Sequence, residues 1–183
     1  MNGAVTRISM APRTSVVDIR RMERDDVAAA LKIQDQVYPR FLVEDEPAFS
    51  SRLDLAASYC FAAWCGNELV GYLLAHGWKA DSPPMVGAVL TDGSPSEVLY
   101  IHDLATAPSA LGLGVGHKLI TFAFAVAANR GLCRAELIAV EGAARYWRRL
   151  GFVEGPVNHE VATKLASYGA SATWMTCAIS SLL

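Results

Sequence analysis

The chain is poor in charge. Only 19% of its 183 residues are Asp, Glu, Lys or Arg, and the two signs nearly cancel, to a net −2. That leaves neither the basic footprint of a nucleic-acid binder nor the charge bias of a disordered segment. Cysteine is scarce as well. Cys60, Cys65, Cys133 and Cys177 stand apart, with no CxxC pair and no His at finger spacing. A disulfide scaffold is excluded and a structural zinc is disfavoured. The four read as small buried apolar residues in a reducing, cytoplasmic setting. Long apolar runs are missing. The richest, Leu119 to Ala128, is too short to span a bilayer, and the opening MNGAVTRISMAPRTS lacks the apolar core of a secretory signal. Arg7 and Arg13, with no acid before Asp18, leave a mitochondrial address open. The plainer reading makes residues 1–15 a flexible N-terminal extension. No internal repeat or low-complexity block is present.

What is present is a hydrophobic share of 52%, in a length that suits one domain over residues 16–183. Such a chain buries roughly 70% of its unfolded surface without staples. Val16 to Met22 alternates as a first strand. Glu23-Arg24-Asp25-Asp26 opens a helix with acids in its first turn, and Pro39 closes it. Val27, Leu31, Gln34 and Tyr38 share one side of that helix, widened by Ala30 and Val37. A second helix starts near Glu44 and turns Phe49, Leu53 and Ala56 inward. Tyr59 to Cys65 and Glu68 to Trp78 flank a Gly66-Asn67 turn and predict a hairpin. Lys79 to Glu97, rich in Pro, Gly, Ser and Asp, is a long excursion with an apolar patch from Met85 to Leu90.

Val98 to Thr106 is a strong central strand. The helix after it, about Val115 to Asn129, carries Val115, Leu119, Phe122 and Val126 as a buried stripe, and Gly131 suits its end. Strand Arg134 to Val140, short helix Ala143 to Leu150, a strand from Phe152 and a last strand from Ala172 to Ile179 complete the order. His159 falls in a polar loop on this reading. Strand–helix alternation at the centre predicts an α/β, mixed sheet with one parallel pair across the long helix.

The most informative residues are Leu111-Gly112-Leu113-Gly114-Val115-Gly116, between a strand and a long helix. Alternate glycines let backbone N–H groups converge, and the helix start adds partial positive charge. Together they predict an anion site suited to phosphate or pyrophosphate; the alternative is a flexible turn with glycine packing. A Walker loop fails here, because Gly116-His117-Lys118-Leu119 has the wrong spacing. A dinucleotide loop fails because its third glycine comes one place early. A nucleotide switch therefore lacks its required partners.

In this order the stretches resemble the GNAT superfamily of acyl-CoA N-acyltransferases. Tyr100-Ile101-His102-Asp103-Leu104-Ala105-Thr106-Ala107-Pro108 is similar to that family's central strand. Leu111 to Gly116 is similar to its Arg/Gln-x-x-Gly-x-Gly loop. Ala143-Ala144-Arg145-Tyr146-Trp147-Arg148-Arg149-Leu150-Gly151-Phe152 is similar to its late helix-to-Gly-Phe segment. Ile19-Arg20-Arg21 and Asn67-Glu68-Leu69-Val70-Gly71-Tyr72 fit as well, so the likeness spans about Val17 to Ser180.

The resemblance implies a mostly antiparallel sheet with a V-shaped splay between the central strand and the parallel strand beside it. It implies acetyl-CoA as cosubstrate, with pyrophosphate on the backbone of Gly112, Leu113, Gly114, Val115 and Gly116. The pantetheine arm would pair with backbone groups near Leu104 and Thr106, where a bulge would free an N–H. Three positions depart from the family pattern. Leu111 replaces its Arg or Gln, Val140 replaces its Asn, and Trp147 replaces the Tyr that protonates the leaving thiolate. An indole cannot supply that proton. Tyr146 is adjacent, but one residue along a helix turns a side chain by about 100°.

Acyl transfer to an amine needs a base. His102 is the first candidate, since it lies on the central strand and histidine is the side chain suited to proton transfer near neutral pH. Asp103 and Glu141 follow, and Tyr146 is the candidate acid. Strict alternation would put His102 and Asp103 on opposite sheet faces. Each has a plainer alternative: a hydrogen-bonded core histidine, a capping acid, a solvated helix cap, a packed aromatic. The segment joining the first two helices often lines the acceptor pocket in this superfamily. Here that gives Tyr38 and Phe41 as walls and Glu44 as a partner for a cationic amine. No His, Asp and Glu cluster suggests a metal. The expected acceptor is a small molecule or peptide amine, with neither nucleic acid nor membrane as partner and a homodimer left open. The competing reading is a domain that binds acyl-CoA without turnover.

Overall fold

The computed structural model describes residues 16–93 and 95–183; the extension expected over residues 1–15 lies outside them. The chain runs β1 (Val17–Arg21), α1 (Val27–Val37), α2 (Glu46–Asp54), β2 (Phe61–Cys65), β3 (Glu68–Trp78) and β4 (Val98–Thr106). It continues with α3 (Val115–Asn129), β5 (Arg134–Ala139), α4 (Ala144–Arg149), β6 (Val153–Glu154), α5 (His159–Leu165) and β7 (Thr173–Ala178). The strands form one sheet in the order β1-β2-β3-β4-β5-β7-β6. Every neighbouring pair is antiparallel except β4 and β5, joined through α3. Among the described residues, no helix is long and apolar enough to cross a membrane.

Alternation sorts the strands onto two cores. Leu73, Ala75, Leu99 and Ile101 face α3 with Leu119, Ile120, Ala123 and Phe124. Tyr72, Leu74 and Ala105 face α1 and α2 with Ala30, Ile33 and Phe49. Glycine permits the closest approach. A Cβ on Gly71 would lie 2.8 Å from Val115 Cγ1 and 2.9 Å from the Ala105 carbonyl, so α3 starts hard against β3 only because that position carries no side chain.

Four expectations change. The buried stripe of α3 is Val115, Leu119, Ile120, Ala123, Phe124 and Ala127, whereas Phe122 is 39% exposed and leans on Phe61. Small alanines on the adjacent face let the helix sit closer there, and packing beats the larger side chain. The second helix ends at Asp54 and buries Ser50, Ser51 and Arg52 beside Phe49, while Ala56 is exposed. The polar loop expected around His159 holds α5, capped by Asn158 accepting from the Val161 N–H at 2.7 Å, with Val161 fully buried. Cys133, expected inside, is exposed.

Candidate active site

β4 and β5 pair only at Leu99, Tyr100 and Ile101. Beyond Ile101 the two strands part, and a cavity of about 310 Å³ opens between them. A break in the ladder marks the same place. Leu74 lies opposite Asp103 and Ala75 opposite Ile101, so His102 is an extra residue on β4. This β-bulge reverses the alternation. Ile101 faces α3, and so does Leu104. His102 and Asp103 both face α1 and α2, where their side chains meet Glu44 and Tyr38. Strict alternation would have separated them; the bulge brings both into the cavity lining.

His102 sits in a buried ionic cluster. Its Nε2 lies 3.0 Å from Glu44 Oε2 and 2.8 Å from Arg52 Nη2. Arginine only donates and a carboxylate only accepts, so Nε2 serves one of them at a time. Its Nδ1 is buried and has no protein partner. Glu44 is held from several sides. Arg52 Nη2 donates to Oε1 at 2.9 Å and the Gly87 N–H at 2.7 Å. Gln34 brackets its backbone, donating to the Glu44 carbonyl and accepting from its N–H. Burial would raise the Glu44 pKa, but the His102 ring and the Arg52 guanidinium outweigh it and hold the carboxyl at about 2. Arg52 itself is fully buried and also donates to the Ala48 carbonyl within its own helix.

Asp103 has a separate network. Tyr38 Oη donates to its Oδ1 at 2.5 Å and Tyr72 Oη to its Oδ2 at 2.6 Å. Burial raises the Asp103 pKa, opposed by these two hydroxyls. The same burial, with Asp103 adjacent, pushes both tyrosines far above their ordinary range, so they remain donors. Glu141 lies at the exposed rim at the end of β5, with φ +46°, a left-handed backbone that costs a non-glycine residue about 1 kcal/mol.

The backbone of β4 faces the gap in a defined way. The Ala107 N–H donates to the Val70 carbonyl at 2.9 Å. Antiparallel pairs exchange bonds at alternate residues, so Leu104 and Thr106 point their N–H and C=O groups away from β3 toward the opening. The bulge itself is at His102, not near Leu104 and Thr106 as expected. At the glycine loop, Gly112 and Gly114 take φ +84° and +68°, with open space around them. Gly114 caps α3, and the first intrahelical bond is Lys118 N–H to Gly114 carbonyl. The N–H groups of Val115 and Gly116 therefore project from the helix start. Leu113 differs from expectation: its N–H turns back to the Ala110 carbonyl at 3.2 Å.

Tyr146 lines the cavity and reaches this loop. A Cβ on Gly116 would stand 2.6 Å from Tyr146 Oη, a buried hydroxyl with no protein partner. Trp147, beside it, is buried against Phe152 with ring centroids 5.2 Å apart. Phe41 does not join the cavity; it is 58% exposed. The carboxylate of Glu44 is committed to Arg52, Gly87 and His102 rather than free for an amine. Arg52, Gln34, Tyr72 and Tyr168 were not anticipated. For Arg52 a signal existed, since it lies one turn from Ala48 and Phe49 on the inward face of α2.

The sequence matches the model of the acetyltransferase (GNAT) family over residues 27–152. A search of curated protein sequences gives no match. The fold is similar to that of the ribosomal-protein-S18-alanine N-acetyltransferase from Escherichia coli, with TM-score 0.64, 17% identity, and coverage of 90% of this chain and 94% of that one. It is also similar to Arabidopsis thaliana Naa50 in complex with the bisubstrate analogue CoA-Ac-MVNAL, with TM-score 0.62, 12% identity, and coverage of 87% and 96%. A third is the PaiA N-acetyltransferase from Thermoplasma acidophilum in complex with coenzyme A, with TM-score 0.59, 10% identity, and coverage of 89% and 98%.

Proposed function

The chain belongs to the acetyltransferase (GNAT) family, and we propose that it transfers an acetyl group from acetyl-CoA to the primary amine of a small molecule or peptide, both bound at once. The observation that carries this is the bulged β4, which sets His102 and Asp103 beside a gap lined by backbone groups outside the β3 ladder, the Leu104 carbonyl accepting only from Tyr38 Oη at 3.1 Å. The residues fit the cosubstrate. The loop offers the N–H groups of Gly112, Gly114, Val115 and Gly116 to a pyrophosphate, and α3 adds its positive end. Leu104 and Thr106 offer an open strand edge to an extended amide-bearing arm. The unpartnered Tyr146 hydroxyl stands between these two features, over Gly116. When bound, acetyl-CoA supplies an activated acetyl thioester.

The chain's own residues handle the protons. The reaction forms one C–N bond and breaks one C–S bond; the ammonium gives up one proton before attack and the acylated nitrogen a second after it, so that the departing sulfur takes up one and one passes to solvent. His102 is the base in this scheme. With its hydrogen on Nε2 and donated to Glu44, Nδ1 keeps a lone pair that no protein group occupies. Asp103, held by two tyrosines, attracts the ammonium to that lone pair. Tyr146 is the nearest tyrosine to the position that Trp147 fills with an indole, and it serves as the acid. Glu141 at the rim is the second base of the pair by which the amine sheds its proton to solvent. The four free cysteines suit a reducing, cytoplasmic setting.

Isothermal titration with acetyl-CoA tests the reading: micromolar binding is expected, and none at high micromolar concentration overturns it. One observation favours a second reading, binding without turnover. Trp147 is buried where a tyrosine acid would stand. Thiol release that depends on His102 excludes that alternative.

A further inference from the structure

We infer that the acceptor is a small amine with an apolar body and no carboxylate. This deepens the acetyl-transfer reading and rests on it. The cavity lining contains three acids, Glu44, Asp103 and Glu141, and no Lys or Arg among the described residues. Arg52, the nearest guanidinium, stands behind the lining. Its Nη2 is directed to Glu44 and His102, and its Nη1 to the Ala48 carbonyl and Ser51. A carboxylate entering with the amine would therefore find no cation and would meet like charge.

The positive end of the acceptor does have a destination. His102, with its side chain 5% exposed, lines the cavity, and its buried Nδ1 has no partner in the protein. Beside it Asp103 has its oxygens fixed by Tyr38 and Tyr72. The amine nitrogen is thus received by a lone pair and a carboxylate. Val37, Pro39, Leu42 and Val86 give the acceptor side an apolar wall, and Gln34 and Tyr168 beside them spend their polar groups on the backbone of Glu44 and Pro84. The excursion between β3 and β4 is tied to this side, since Tyr168 donates to the Pro84 carbonyl at 3.0 Å and the Gly87 N–H donates to Glu44. A cavity of about 310 Å³ limits the body to a compact one.

A matched series on the full chain with acetyl-CoA separates the features. Phenethylamine, phenylalaninamide and phenylalanine share an amine and a ring and differ in what replaces the carboxylate. We expect thiol release with phenethylamine and with the amide. For phenylalanine, kcat/KM should fall roughly 100-fold or more below the amine. Thermal shift of the CoA-bound protein should rank the three in the same order. Glu141→Gln should narrow the amine-to-acid ratio several-fold, because it removes one of the repelling charges. Phenylalanine used as well as phenethylamine overturns the inference. So does acetyl-CoA binding with none of the three bound or acetylated, while the family reaction stands. Failure of acetyl-CoA to bind is the separate outcome that overturns the acetyl-transfer reading itself.

Discussion

Replacing Glu44 by Gln removes one negative charge and leaves Arg52 buried without its partner. Two independent routes give the size of the effect. A carboxyl moved from its ordinary 4.5 to about 2 contributes about 3 kcal/mol to stability at neutral pH. Breaking a buried ion pair by deleting one partner costs about 3–5 kcal/mol. For a domain of this size a loss of about 3 kcal/mol lowers Tm by roughly 10 °C. The sign with pH follows from linkage. A depressed carboxyl stabilises the fold fully above its unfolded pKa, and that contribution disappears as pH falls from 4.5 toward about 2. Urea unfolding of both proteins should therefore show a gap of about 3 kcal/mol at pH 7 that shrinks steadily below pH 4.5. Activity should fall roughly 100-fold or more, because the His102 ring loses the carboxylate that fixes its hydrogen on Nε2. Glu44→Asp should recover part of the rate. The double variant Glu44→Met with Arg52→Met should be more stable than either single change, since no charge is then left buried alone. Equal stability of wild type and Glu44→Gln at pH 7, or a gap indifferent to pH, would refute the reasoning.

His76 is fully buried with neither ring nitrogen partnered, and burial, helped by the neighbouring His102, lowers its pKa to about 3. The unfolded chain then binds a proton that the fold refuses, so stability should drop as pH falls from 6.5 toward 3, and His76→Leu should flatten that slope in a series of thermal melts. Gly116→Ala places a methyl against Tyr146 Oη; it should cost about 1–3 kcal/mol and weaken acetyl-CoA binding by titration, and adding Tyr146→Phe should restore both. His102→Gln should lower kcat by roughly 10²–10⁴-fold with KM little changed. Asp103→Asn should instead raise KM for the amine more than it lowers kcat; a pure kcat effect would move Asp103 into the proton-transfer role.

Much of the site was legible because it is built from backbone. Gly112 and Gly114 announce a place where the main chain takes left-handed turns, and Gly116 a close approach, and they do so without reference to distant residues. The order of strands and helices was legible for the same reason, since period and end signals are local. α5 escaped because its apolar face is little more than Val161 and Leu165, too few for a period to show. Glu44 read as a free acid at a helix start, because the residue that neutralises it, Arg52, is a helix-face cation, and its place one turn from Ala48 and Phe49 was the one local hint of its burial. Phe41 read as a wall because the segment joining the first two helices often lines the acceptor pocket in the family the sequence resembles; here it lies at the surface.

The sequence by itself determined the order of the elements other than α5, the parallel pair across the long helix, and the glycine loop at the start of α3. Those follow from hydrophobic period and from glycine's freedom, both of which act over a few residues. Only the tertiary structure decided which side chains meet. One extra residue at His102 changes the phase of β4 and turns His102 and Asp103 to the same face. The folding of α2 onto that face then brings Arg52 and Glu44 to His102, and α1 brings Tyr38 to Asp103 across 65 positions of chain. Strand phase and long-range electrostatic pairing depend on the sum of all packing contacts, and a local pattern carries no record of that sum.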